Sequence, residues 1–405
     1  MVFFERAQSV DPNHAETLNA LTRLYEAKSY PTAAAEVARR LAKQPGWEAR
    51  GNWALGTLLM RRHDGTDAAD SLREILRRDP SGEKIGAKPA QVRKLLARSL
   101  LMDSKPDEAR ASLQPVLDAG ADAEAFWLAS RAWLQSGNVS EATAAAKLAG
   151  DYSRDDPSVD EPAAFVGDLQ CRKCHAEIHA SQVAGRHAKT FARGGAAAGL
   201  SLPSSPIADP KIPRARHTLR RDGEDVRVEA HVDESNYSAL VQYVLGTGHR
   251  GRTAILRDDK GLPRESRLTY YADGVGWDLT VHHPERPNSA SGLLGKPMIE
   301  DQIEDCLRCH VTDVRSAREK IGPVADDRGI GCERCHGPGG NHVKAMALSF
   351  TDSAIGRNRI SSAERRAAMC ADCHKAPIGA SESNRDFVRF QSPNLAKSRC
   401  VTESG

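Results

Sequence analysis

The sequence predicts a mainly α-helical protein with two regions of different character and a short linker between them. Apolar residues recur at helical spacing through residues 1–150, which favours an α-solenoid of helical repeats. Residues 151–164 are acidic and contain proline, as is typical of a linker. Over residues 165–405 the helical periodicity fades, and we expect a loop-rich, mostly α-helical domain with a small β insertion.

The helical repeats are marked by small-residue helix starts at near-constant intervals. The marker alanines are spaced 35, 40 and 33 residues apart, and they are Ala34, Ala69, Ala109 and Ala142. This spacing resembles the tetratricopeptide repeat (TPR), in which helix pairs bury their faces against neighbouring pairs. The resemblance implies a groove where a partner protein docks. The alternative is a helical spacer that only supports the second half.

Two hairpin signals account for the predicted β insertion. The first is Asp222-Gly223 within residues 219–232, where apolar residues alternate with polar ones. The second lies around residues 258–261, within residues 253–271. Both fall between the first and the second of four cysteine motifs.

One cysteine motif occurs four times in the second half. Each copy reads Cys-x-x-Cys-His, at residues 171–175, 306–310, 332–336 and 370–374. This is the attachment signature of c-type haem, in which two thiols bond the porphyrin and the histidine is the proximal iron ligand. The sequence therefore predicts four covalent haems. The attaching residues are Cys171, Cys174, Cys306, Cys309, Cys332, Cys335, Cys370 and Cys373, and the proximal ligands are His175, His310, His336 and His374.

Structural zinc is the alternative, because paired Cys-x-x-Cys segments also bind zinc. Zinc does not require a histidine directly after every second cysteine, and neither does a disulfide framework. With 14 histidines in 405 residues, four such placements by chance have a probability on the order of 10⁻⁶. Haem is favoured. The zinc alternative predicts that four sulfurs from two motifs surround one point.

Composition and charge narrow the class of protein. The net charge of +3 and the pI near 8.3 are too mild to favour nucleic acid or an anionic membrane surface as a partner. No stretch approaches the roughly 20 apolar residues of a membrane span.

Covalent haem attachment takes place outside the cytoplasm, so we expect a periplasmic or otherwise extracytoplasmic location. Residues 1–5 lack the features of an export signal. We therefore expect that this sequence is a fragment or that its start is misassigned.

The second half resembles a multihaem cytochrome c family of the cytochrome c-554/c-prime type. The resemblance is strongest over residues 331–342, where Cys-x-x-Cys-His-Gly-Pro-Gly is followed by a second histidine. It extends to residues 171–188 and to the segments 244–252 and 270–277. The resemblance implies a tetrahaem domain that continues beyond residue 405, because residues 398–405 look like the lead-in to a further haem motif.

Additional histidines supply candidate ligands for the distal side of each iron. The candidates are His187 and His342, which the family motifs place, His249 in the intervening segment, and His282 and His283 in a Pro-flanked loop. His179, His217 and His231 are expected to be surface or hydrogen-bonded imidazoles. Charged residues inside the motifs, Glu333 among them, are expected to be solvated, and the ninth cysteine, Cys400, to be a free thiol.

Three functions are compatible with these motifs, and the third is a scaffold in which the helical repeats dominate and the haems are structural. The favoured one is electron transfer, in which several haems on one domain accept electrons from one redox partner protein and deliver them to another. The alternative is a multihaem oxidoreductase that acts on a small nitrogen or sulfur compound at an iron with an open position, aided by acid–base groups. The sequence assigns no catalytic residue.

Overall fold

The computed structural model describes residues 10–27, 30–152, 161–194, 200, 202–248, 251–272, 274–320, 328–356 and 363–374. The chain divides into two compact units. The first combines residues 1–167 with residues 333–405, and the second is residues 168–332. The division falls inside the third cysteine motif, between Cys332 and Glu333.

Helices precede and follow a run of strands along the chain. The helices are α1 (Ala15–Ala27), α2 (Pro31–Leu41), α3 (Glu48–Arg61), α4 (Gly65–Arg78), α5 (Pro89–Met102), α6 (Pro106–Asp118), α7 (Ala123–Gln135), α8 (Val139–Ala149), α9 (Asp168–Arg172), α10 (Ala176–Ala184), α11 (Glu300–His310), α12 (Val314–Glu319), α13 (Cys332–His336), α14 (Gly340–Ala347) and α15 (Ala363–His374). The strands are β1 (Phe191–Arg193), β2 (Ile207–Ala208), β3 (Arg216–Asp222), β4 (Asp225–Val232), β5 (Ser235–Leu245), β6 (Arg252–Asp258), β7 (Pro263–Tyr271), β8 (Gly276–Leu279) and β9 (Gly295–Pro297).

Helices α1 to α8 form the predicted array of helix pairs in the first unit. Each of these helices packs against the next one along the chain. Helices of the array begin three or four residues before each marker alanine, at Pro31, Gly65, Pro106 and Val139, as the sequence predicts. All four marker alanines are 0% exposed, because only a methyl group fits where neighbouring helices approach closely. Their burial explains why alanine recurs at this interval.

Polar side chains cap several helices of the array. The Asn138 side chain accepts a hydrogen bond from the backbone N–H of Glu141 at 3.2 Å and so caps α8.

Replacing Asn138 with alanine is expected to lower the free energy of unfolding by about 1 kcal/mol, because one N–H at the helix start loses its acceptor. Urea unfolding followed by circular dichroism checks this. Asn138→Asp keeps an acceptor, so an equal loss in that variant would contradict the capping role.

The second unit is built around an antiparallel sheet of nine strands. The strand order is β2-β3-β4-β5-β6-β7-β8, with β1 paired to β5 and β9 to β7. Both predicted hairpins are confirmed as β3–β4 and β6–β7. Each turn contains a glycine at positive φ, Gly223 at +62° and Gly261 at +76°, a conformation that residues with a Cβ rarely adopt.

The β region is larger than the small insertion that the sequence predicts. Strand β5 is an interior strand that pairs with β4 and β6, and β1 also pairs with its C-terminal part. Its sequence lacks a strict alternation of apolar and polar residues, and β2, β8 and β9 are two to four residues long. Such strands depend on partners distant in sequence, so local patterns identify only the two tight hairpins.

None of the described helices combines the length and the hydropathy that a membrane span needs.

Candidate functional site

Each of the four cysteine motifs lies on or beside a helical turn. The first begins in α9 and ends at His175, which directly precedes α10, and the second forms the C-terminal end of α11. The third is the short helix α13, and the fourth ends α15. In a helix, residues three apart face the same side, so the two thiols of a motif project together. This local geometry is the one that attachment of a planar group through two sulfurs needs.

The state of the thiols is compatible with haem attachment. None of the eight described cysteines is in a disulfide. Burial raises the pKa of Cys306 to about 11, helped by the nearby carboxylates of Glu265 and Asp305. Burial also raises the pKa of Cys370. A raised pKa favours the protonated thiol, and it is an S–H group that adds across a porphyrin vinyl group.

Thiols from two different motifs converge beside a buried carboxylate. Ligand atoms of Cys171, Cys332 and Asp168 all lie within 4.8 Å of one another. The hydrogen bond with Cys171 is the largest cause that raises the pKa of Cys332, followed by burial and the Asp168 charge. Among the described residues this group contains two sulfurs, not the four that the zinc alternative predicts.

Apolar side chains stand exposed around the first motif. Leu169 is 55% exposed and Ile178 is 68% exposed, and they flank Cys174 and His175, which are exposed as well. These two side chains leave apolar surface on either side of the attachment motif, which a bound group could cover. A porphyrin attached at this motif would be an apolar group against which these side chains could pack.

Two of the predicted iron ligands have rings oriented by backbone carbonyls. His310 Nδ1 lies 3.0 Å from the Thr190 carbonyl oxygen, and His342 Nδ1 lies 2.7 Å from the Ser353 carbonyl oxygen. A carbonyl only accepts, so Nδ1 carries the proton in both rings and the neutral ring has its lone pair on Nε2. Histidines that bind metals are commonly held in this way.

The other distal candidates differ in their surroundings. His187 is exposed and begins the 3₁₀ turn His187–Lys189, which directly precedes Thr190. His282 is exposed and has a φ of +66°. His283 is buried, and its Nε2 lies 3.1 Å from Glu265 Oε2, so Nε2 carries a proton in that ring. His249 and Cys400 lie outside the described residues.

His179 is a candidate ligand that the sequence did not predict, since we expected a surface or hydrogen-bonded imidazole. Its residue is 8% exposed, and its buried Nε2 has no hydrogen-bond partner among the described residues. The expectation of a surface or hydrogen-bonded imidazole is therefore wrong for this residue. It is confirmed for His217, whose Nε2 lies 3.0 Å from Asp209, and His231 is partly exposed near Glu229. The sequence offered one signal for such a role, which is that His179 follows the proximal ligand His175 by four residues.

The expectation that Glu333 is solvated is also wrong. Glu333 is 3% exposed, and its carboxylate accepts hydrogen bonds from the backbone N–H groups of Val166, Gly167 and Gly339 at 2.7–2.9 Å. A buried carboxylate is tolerated where such donors surround it. Glu333 therefore joins the segment before the first motif to the turn that follows the third.

Asp168 holds the start of the third motif in the second unit. Its Oδ1 accepts the backbone N–H of Cys332 at 2.9 Å. A Cβ at Gly331 would lie within 2.7 Å of the Asp168 carboxylate, so a larger residue there would displace that side chain from its bond with Cys332. In the first unit, Arg334 Nη2 lies 3.8 Å from Cys373 Sγ, which brings residues of the third and fourth motifs together.

One segment of this region is similar to a known family. Residues 281–337 match the family model of cytochrome c554 and c-prime. The matched segment contains the whole second and third motifs, together with His282 and His283. The match supports a cytochrome c-type region over these residues, and a region of that type implies covalently bound haem c with iron.

The chain is also similar to two solved structures. Two solved structures of MamA are similar to this chain at 19% identity, with TM-scores of 0.31 and 0.32. Each covers 36% of this chain, and the aligned parts are 82% and 76% of the MamA chains. The comparison with curated proteins found no match.

Proposed function

We propose that this chain is a multihaem c-type cytochrome that carries electrons through four covalently attached haems. The eight motif cysteines would hold the porphyrins, and His175, His310, His336 and His374 would be the proximal iron ligands. When bound, haem iron supplies a one-electron couple between the ferric and ferrous states. The family match over residues 281–337 supports the cytochrome class, and the repeated motif supports the number.

The observation that carries electron transfer is the contact between motifs. Ligand atoms of Cys171 in the first motif and Cys332 in the third lie within 4.8 Å of each other. Arg334 of the third motif contacts Cys373 of the fourth. The second motif ends at His310, whose Nδ1 donates to the carbonyl of Thr190, fifteen residues after the first motif. Adjacent attachment points would place the attached haems close together. Positioning the redox centres in this way is the protein's main contribution to electron transfer.

For the distal positions we propose His342 and His187 first. The Nδ1 hydrogen bond of His342 supports it, because the ring then presents its Nε2 lone pair. The turn that contains His187 lies beside the second motif through Thr190. His179 is added because its buried Nε2 lacks a protein partner among the described residues, whereas the Glu265 contact makes His283 a weaker candidate. His282 and His249 stay as predicted alternatives.

Location and partners follow from the cofactor. We propose a periplasmic or otherwise extracytoplasmic protein, because covalent haem attachment takes place there. Its partners would be redox proteins, and the helical array α1–α8 would offer them a docking surface, since stacked helix pairs present an extended face. The mild net charge of +3 gives no support to nucleic acid as a partner.

The test is the haem content of the matured chain. Expressed with an export signal and the c-type haem attachment machinery, the chain is expected to gain the mass of four haems and to show sharp c-type bands when reduced. Replacing Cys332 and Cys335 together with serine is expected to remove one haem, because both thioether bonds at that motif are lost. Intact mass and the pyridine haemochrome spectrum measure both results.

Cys400→Ser is the matched control, because Cys400 is the cysteine outside the motifs. It is expected to leave the haem content unchanged. A chain that gains no haem mass and instead binds zinc through the motif cysteines would overturn the proposal.

A further inference from the structure

Two side chains of the helical array reach the surroundings of His342. Arg131 and Gln135 lie one turn apart on α7, so they face the same side of that helix. The Arg131 side chain is 3% exposed. Both residues contact the segment after the third motif, and all of these residues belong to the first unit.

Gln135 holds the residue directly before His342. Its Nε2 donates to Asn341 Oδ1 at 2.8 Å. Asn341 is 0% exposed, and its Nδ2 donates to Glu161 Oε1 at 3.1 Å and to the Pro162 carbonyl at 3.2 Å. Asn341 and His342 are neighbours in the first turn of α14, so fixing one side chain fixes the turn from which the other projects.

Arg131 holds the residue directly before Ser353. Its Nη2 donates to Asp352 Oδ2 at 2.7 Å, and its Nε pairs with Glu161. Asp352 Oδ1 in turn accepts the backbone N–H of Ala354 at 2.9 Å. The carbonyl of Ser353, between these two residues, accepts the His342 hydrogen bond. Arg131 thus fixes the acceptor of that bond, and Gln135 fixes the turn that carries its donor.

Apolar packing makes the same connection. The last helix pair of the array and the segment after the third motif share one buried cluster, formed by Leu134, Ala142, Ala345, Phe350 and Ala354. Close-packed clusters transmit small displacements because they contain little empty space. The turn around Ser353 therefore cannot shift without disturbing the array.

We propose that Arg131 and Gln135 are positioning residues for His342 as an axial ligand, so that the helical array sets the reduction potential of one haem. This inference rests on the proposed function. A ring that donates Nδ1–H to a fixed carbonyl is a stronger electron donor through Nε2. Stronger donation stabilises the ferric state and lowers the potential, so loosening this bond raises it.

A merely structural role predicts something different. Loss of buried hydrogen bonds would lower the stability of the first unit, and no single haem potential would change. Charge is the other confounding factor, because removing a cation near a haem changes its potential directly. Variants that keep the charge separate these causes.

The experiment uses the full, haem-loaded chain and three substitutions that keep its net charge. Gln135→Ala removes the contact to Asn341, and Arg131→Lys removes the forked geometry that reaches Glu161 and Asp352 together. Arg98→Lys is the control, because both arginines contact the same tryptophan. The guanidinium of Arg98 lies 5.2 Å from the Trp127 ring and that of Arg131 lies 5.1 Å from it, but Arg98 pairs with Glu124. Haem content is measured first, and then a spectroelectrochemical titration resolves the potentials of the components.

In both Gln135→Ala and Arg131→Lys, one titration component is expected to move to higher potential, with haem content unchanged. In Arg98→Lys no component moves. Unmoved components in Gln135→Ala, or an equal movement in the Arg98 control, would overturn the inference while the cytochrome assignment stands. A wild-type chain without haem would instead overturn the proposed function itself.

Discussion

Replacing Asp209 with alanine is expected to lower the free energy of unfolding of the sheet unit by about 3–5 kcal/mol, because it leaves a buried guanidinium without its counter-ion. The Asp209 carboxylate is 0% exposed and accepts from Arg267 Nη2 at 3.0 Å and from His217 Nε2 at 3.0 Å. It also accepts the backbone N–H groups of Lys211 and Ile212 at 2.9 Å. Urea unfolding measures the loss.

The matched control for this prediction is a carboxylate on the surface of the same unit. Asp233 is 57% exposed and pairs with Arg214 at 3.1 Å. Because exposed ion pairs contribute about 0–1 kcal/mol, Asp233→Asn is expected to change stability by less than about 1 kcal/mol, and asparagine tolerates the φ of +51° at this position. A similar loss in both variants would show that the buried network is not the cause.

The same network predicts how stability depends on pH. Burial alone raises the pKa of Asp209, but hydrogen bonds from His217 and Arg267 outweigh it and hold the pKa below its usual range. A folded pKa below the unfolded value of about 3.9 means that the stabilisation is present above that pH and is lost as the pH falls. The stability difference between wild type and Asp209→Asn is therefore expected to shrink as the pH falls below about 5, and to go on shrinking below about pH 3 until the folded pKa is reached.

The sequence predicted those parts of this molecule that depend on local spacing. Ala34 and Ala142 mark helix starts because the repeat needs a methyl group at a close helix contact, and both are 0% exposed. The two hairpins were recognisable from Gly223 and Gly261 in their turns. A Cys-x-x-Cys-His motif likewise carries its chemistry within five residues, so its positions could be read directly.

Contacts between distant residues were outside the reach of such patterns. Asp168 and Cys332 are 164 residues apart, and no local signal relates them. Glu333 reads as a charge in a polar motif, and its burial depends on N–H groups of residues 166 and 167. His179 was grouped with bystander histidines because the burial of a single imidazole depends on the segments that cover it.

Replacing His342 with alanine is expected to give the reduced protein a fraction that binds carbon monoxide, equivalent to about one haem. If His342 Nε2 is an axial ligand, its loss leaves one iron with an open position, and an open ferrous haem binds this gas. His342→Met is expected instead to keep that iron six-coordinate at a higher potential, because thioether ligation favours the ferrous state. Optical spectra before and after carbon monoxide measure the first result, and a redox titration the second.

His283→Ala is the informative comparison, because both histidines are distal candidates and their rings are held in opposite ways. The His283 Nε2 faces Glu265, whereas the Nδ1 of His342 faces a carbonyl. His283→Ala is therefore expected to leave the carbon monoxide difference spectrum unchanged. A response in His283→Ala and none in His342→Ala would reverse the assignment. Gas binding by the wild-type chain would reveal an iron that is already open, and would favour the multihaem oxidoreductase over the electron carrier.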